Sequence, residues 1–150
     1  MSPRPELPPA LARFLELYRC GRFFEGHEVL EQAWLRTRSP FYQGLIIMAA
    51  AFCKRDRGNG TGAARNLRKA LRRLEACPPV HLGLDVAAVR DGITRRLERL
   101  RAEGIDPDGG FAGDGSLDPG MLRRLVPDLP LPVDRAAIRG DEPEWREGDP

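Results

Sequence analysis

Residues 39–54 read SPFYQGLIIMAAAFCK, and the reading of this stretch decides the fold. Serine followed by proline is a helix start. The Ser39 hydroxyl can accept from a backbone N–H of the first turn, and Pro40 sits where a backbone donor would have no partner. Behind them the stretch is apolar on nearly every side, with Leu45, Ile46, Ile47, Met48 and Phe52 interspersed with Gly44, Ala49, Ala50 and Ala51. A helix apolar all round has to be surrounded by other helices, and its small residues let their backbones come close. At fewer than the roughly 18 apolar residues of a membrane span, it is predicted to be the central helix of a folded domain.

Outward from it, apolar residues recur at intervals of three and four, with no alternating run long enough for a strand. Helix one is predicted from about Pro8 to Cys20, with Leu11, Phe14, Leu15 and Tyr18 inward and Gly21 at its end. Helix two begins near Arg22. Helix three ends in Lys54, Arg55 and Arg57, well placed at the negative end of the helix dipole, before RGNG breaks it. Helix four, about Thr61 to Cys77, turns Ala63, Leu67, Ala70, Leu71 and Leu74 inward and a row of arginines outward, and CPP stops it. Helix five is capped by Asp85 and carries Val86, Val89, Ile93, Leu97 and Leu100 on one stripe. The fold class is all-α, a compact bundle of about five helices.

The chain divides at about residue 104. Residues 1–104 form the helical domain, and 105–150 form a Gly/Pro/acid-rich extension, with a short helical segment at Met121 to Leu125. This tail is expected to be partly irregular or disordered, draping over the domain through Leu129, Leu131, Val133, Ile138 and Trp145. The overall charge of +2 hides an asymmetry, because residues 1–102 carry 19 basic and 10 acidic side chains and 103–150 carry 5 and 12. The basic half could attract a polyanion through helices three and four, but basic residues at helical spacing are usually a solvated face, so nucleic acid is disfavoured. MSPRPELPPA has no apolar run after its arginine, so neither a signal peptide nor a membrane segment is predicted, and a cytoplasmic location follows. Cys20, Cys53 and Cys77, an odd number without CxxC spacing, read as reduced, buried thiols.

Shifted by 37 residues, the chain echoes itself: Gly21 falls on Gly58, Gly26 on Ala63, Leu30 on Leu67, Ala33 on Ala70 and Trp34 on Leu71. The pattern resembles the second half of a tetratricopeptide unit, which implies two helical hairpins closed by helix five. The positions equivalent to His27 and Glu31 are Ala64 and Arg68, so the repeat does not itself call for a histidine and a glutamate there.

Those two residues lie in FFEGHEVLEQAW, residues 23–34. At 100° per residue Phe23, His27, Leu30 and Trp34 share a stripe with Glu31 on its shoulder, while Glu25 and Glu28 turn to solvent. Three readings follow. His27 and Glu31 form a hydrogen-bonded seam that fixes the pairing of helices two and three. Or they floor a small pocket of Phe23, His27, Glu31 and Trp34, with Tyr42 or Gln43 reaching across, in which His27 is acid or base and Glu31 orients it. Or HxxxE offers two metal ligands, although helices three and four supply no others, so neither metal nor cofactor is expected. His81, in PPVHLG, reads as a solvated loop histidine.

Together FFEGHEVLEQAW and FYQGLIIMAAAFCKRDRGNGTGAARNLRKAL resemble the family called domain of unknown function 309. The signature residues are His27, Glu31 and Trp34, then Gly44, Leu45 and Ile46, then Gly62 and Ala63, with Gly83 to Asp85 opening the last helix. The resemblance covers roughly residues 8–104 and departs at Ile47, where many members have glutamine; Gln43, one turn earlier, could substitute. It implies a compact helical domain with no assigned activity. Function is expected to be that of a non-enzymatic scaffold for a protein or peptide partner or a second copy, the alternative being a small enzyme or ligand-binding protein at His27 and Glu31.

Overall fold

The computed structural model describes residues 6–107 and 116–146. It is all-α: α1 (Pro9–Arg19), α2 (Phe23–Thr37), α3 (Pro40–Asp56), α4 (Gly60–Glu75), α5 (Val86–Ala102) and α6 (Pro119–Leu125). The one sheet among the described residues is a two-stranded antiparallel hairpin, β1 (Val80–His81) with β2 (Leu84–Asp85), between α4 and α5. The expected starts are present as hydrogen bonds. Ser39 Oγ accepts from Tyr42 N at 3.2 Å, and Asp85 Oδ1 accepts from Ala88 N at 3.0 Å.

Each helix packs on its sequence neighbour, from α1 against α2 through to α4 against α5. Short connections force each helix back along the previous one. The tightest junction is α3 on α4. A Cβ built on Gly44 would lie 2.8 Å from Leu74 Cγ, so the axes come as close as they do only because that side chain is absent. Phe41, Tyr42, Leu45, Met48, Ala49, Ala51 and Phe52 are all buried, and α3 is the centre of the core as its composition predicts. Among the described residues no helix is long and apolar enough to cross a membrane.

The described part of the tail is built into this body. Leu122, Val126, Leu129, Leu131 and Ile138 are buried in the same cluster as the helices, with Val133 and Trp145 packed against it. Its backbone is tied on as well: Leu117 N donates to Gly58 O at 2.9 Å, Asp85 N to Pro132 O at 3.1 Å, and Asp134 N to Gly83 O at 2.8 Å. The expectation of disorder, where it falls on residues 108–115 and 147–150, lies outside the described residues, as do the first five residues of the stretch in which a signal peptide was sought.

Two expectations are corrected. Cys20 is exposed, because it caps the C-terminus of α1 and follows the last inward residues; Cys53 and Cys77 are half-buried. His81 is not solvated: it is 8% exposed, since the β1–β2 hairpin folds it inward against Phe41 at 4.7 Å between ring centroids.

Candidate functional site

The α2 helix buries Phe23, Gly26, Leu30 and Ala33. This stripe is turned from the expected one, toward the small residues. A Cβ on Gly26 would lie 3.3 Å from Phe14 of α1, so the neighbouring helix comes closest where α2 has no side chain. The rotation carries His27, Glu31 and Trp34 out to the edge of the buried face, where all three are half-buried. It leaves Phe24 58% and Leu35 47% exposed.

A shallow groove of about 560 Å³ follows this outer face, lined by Phe24, His27, Glu28, Val29, Glu31 and Gln32. The Phe24 and His27 rings are stacked, 6.4 Å apart and 19° from parallel. His27 Nδ1 is buried and has no hydrogen-bond partner. Among the described residues Glu28 and Glu31 make no hydrogen bond or ion pair, whereas Glu25 is paired with Arg22. His27 and Glu31 thus share a groove without being hydrogen-bonded to one another.

The other candidates stand apart from it. Phe23 is buried among Tyr18, Phe52 and Arg55, with its ring stacked on Phe52 at 5.2 Å. Trp34 lies under the Arg38 guanidinium, 4.7 Å from the ring centroid. Tyr42 is fully enclosed in the core, and Gln43 turns to α4, where its Oε1 accepts from Arg73 Nε at 2.8 Å. Among the described residues no three His, Cys, Asp or Glu side chains gather as metal ligands would. The basic face contributes a separate polar hollow, lined by Lys54, Asn59, Thr61, Gly62, Arg65, Asn66 and Lys69.

A dense polar network lies elsewhere, around His81. Its Nε2 lies 2.7 Å from Glu144 Oε2 and its Nδ1 3.3 Å from Glu142 Oε2. Ser39 Oγ donates to the other oxygen of Glu144, and the backbone N–H of Leu82 donates to Glu142. Burial raises the Glu144 carboxyl, but the hydrogen bonds from His81 and Ser39 outweigh it and hold the group below the usual carboxylate range. Ser39 is bonded to the carboxylate and not to the imidazole, so the three do not stand in the order of a serine–histidine–acid triad. It fastens the end of the tail to the start of α3. No periodicity in the sequence joins residues 39, 81 and 144, which is why this pairing was missed.

Residues 11–66 match the model of the family described as Domain of unknown function (DUF309). That segment is similar to the DUF309 family. No curated protein and no solved structure matches the chain. The DUF309 segment runs from α1 into α4 and so holds the whole α2 groove, together with Gly44, Leu45 and Ile46 at the centre of the core. His81, α5 and the tail lie outside it. The match is shorter than the span over which the motifs resemble the DUF309 pattern, and it carries no activity with it.

Proposed function

We propose that the chain is a non-catalytic helical scaffold, related in architecture to tetratricopeptide hairpins, and that the outer face of α2 docks a basic amphipathic helix of a partner protein. The observation that carries this reading is the composition of that face. Phe24, Glu28, Glu31 and Leu35 fall within about 60° of one another at 100° per residue, with large apolar groups at both ends and two unpaired carboxylates between them. Apolar anchors flanking acids call for leucines flanked by lysine or arginine. A second copy presenting the same face would set its own glutamates against these, so the charge argues for a different partner. An acid–base role for His27 has less support, since Tyr42 and Gln43 face other elements and Glu31, in the same groove, makes no hydrogen bond to the imidazole that would orient it.

The test is a titration of the full chain with a labelled helical peptide whose one face is leucine and whose other is lysine and arginine. Binding should weaken at least tenfold in a Phe24→Ser, Leu35→Ser double variant that keeps its helical circular dichroism. In a Glu28→Lys, Glu31→Lys variant its salt dependence should fall or change sign. Equal affinity for wild type and both variants would refute the assignment.

A further inference from the structure

Residues 126–131, VPDLPL, cross the helical body in a way that differs from an ordinary loop. Nearly every backbone carbonyl of the segment accepts from a side chain of the body. Arg55 Nη1 donates to Val126 O at 2.9 Å, Arg96 Nε to Pro127 O at 2.7 Å and Arg96 Nη2 to Asp128 O at 2.8 Å. Tyr18 OH donates to Leu129 O at 2.6 Å, and Arg19 Nη2 to Leu131 O at 3.2 Å. The donors come from α1, α3 and α5. One contact reads a side chain instead: Arg55 Nη1 to Asp128 Oδ1 at 2.7 Å.

From Leu129 onward the side chains alternate between the body and solvent. Val126, Leu129 and Leu131 are buried, while Pro130 and Pro132 are exposed. Leu129 seats over Gly92 of α5, where any Cβ would overlap it. Beside this seat lies a further groove of about 310 Å³, walled by Tyr18, Arg19 and Phe23 on one side and Asp128 to Pro132 on the other. Donors for successive carbonyls, together with pockets for alternate side chains, are how proteins bind extended peptides. Prolines suit such a groove, because they keep the acceptor carbonyl, carry no N–H to satisfy, and lose little chain entropy on binding.

The body side of the contact also points to an occupant. Arg55 is 4% and Arg96 7% exposed; Arg96 gives Nε and Nη2 to this segment and Nη1 to Gly92 O, while Arg55 gives Nη1 to it and Nε and Nη2 to Asp56. A buried cation such as Arg96, whose hydrogen bonds go to backbone carbonyls, is costly unless an acceptor-rich strand lies across it.

We infer that Tyr18, Arg19, Arg55, Gly92 and Arg96 form a peptide-binding groove for extended segments of the pattern apolar, Pro, Asp, Leu, Pro, Leu, and that residues 126–131 occupy it as an intramolecular ligand. A partner protein carrying such a segment would compete with the chain's own tail. This site is separate from the α2 face and stands or falls independently of it.

The experiment uses the full chain and a fluorescent peptide of residues 124–134, RLVPDLPLPVD. A tethered ligand acts at an effective concentration on the order of millimolar, so the wild type should bind the free peptide weakly. A Leu129→Asp, Leu131→Asp variant, its own segment unseated, should bind it about 100-fold more tightly. A peptide carrying the same two aspartates should not bind. A folded variant that fails to take up the peptide would overturn the inference. Should the variant not fold, the wild-type chain is opened at a protease site inserted within residues 108–115, and a labelled peptide of residues 116–146 is added. Exchange of the peptide with the helical signal retained supports the groove, and release only on unfolding of the helices overturns it.

Discussion

Gly92→Ala is the sharpest test of how the tail meets the helices, because two effects of opposite sign compete. Within a helix interior, replacing glycine by alanine stabilises by about 1 kcal/mol. At residue 92 the new methyl would overlap Leu129 Cδ1, with Leu129 Cγ at 3.4 Å and Arg96 Nη1 at 3.3 Å. The branch point as well as the methyl is crowded, so Leu129 has to lift from its seat. Unseating a buried leucine costs about 1.5–3 kcal/mol, and loss of the Tyr18 hydrogen bond to its carbonyl adds about 1 kcal/mol. The net expectation is a destabilisation of about 1.5–3 kcal/mol. Urea unfolding followed by circular dichroism measures it, with unchanged m-values showing that stability alone has moved. The decisive arm is the cycle with Leu129→Ala: in that background the clash is gone and Gly92→Ala should stabilise by about 0.5–1 kcal/mol. A stabilising Gly92→Ala in the wild-type chain would refute the seating of Leu129 on α5.

Four further outcomes are expected. Tyr18→Phe leaves the buried carbonyl of Leu129 without its donor and should cost about 1–2 kcal/mol in the same assay. Glu144 has a lowered pKa in the folded state. Its contribution is therefore full above the unfolded value of about 4.3 and is lost as pH falls through the lower folded value; Glu144→Gln should be less stable than wild type at pH 6, and the gap should close toward pH 3. Thiol labelling of the native protein at pH 8 should modify Cys20 first, because it is exposed, while burial pushes the Cys77 thiol up to about 11 and leaves it largely protonated. His27→Ala should change stability by less than about 1 kcal/mol, since Nδ1 has no hydrogen bond to lose and alanine favours the helix; a larger loss would show that His27 is a structural seam after all.

Local chemistry made most of the helical body legible. Ser39, Asn59 and Asp85 cap the helices they precede, and Asp118 caps the short α6 near the expected Met121–Leu125 segment. The α2 face was harder to place, because large apolar residues dominate a helical wheel while the closest helix contact falls on Gly26, whose contribution is the space it leaves. In α5 the signal was present but unread: Arg96 lies three residues after Ile93 and four before Leu100, within the apolar stripe, which is where a buried arginine with a distant partner would be found.

By itself the sequence determined which segments are helices, which of them is central, and the resemblance of its first helices to the DUF309 pattern, because caps, breakers and apolar period act over a few residues. Tertiary structure alone decided that His27 and Glu31 border an open groove, that His81 fastens the tail to α3, and that VPDLPL lies across Tyr18, Arg55 and Arg96. The hydrogen bonds of His81, and those of VPDLPL with Tyr18, Arg55 and Arg96, join residues 31 to 111 positions apart, and no local preference encodes them. They depend on which surfaces the packed helices leave uncovered.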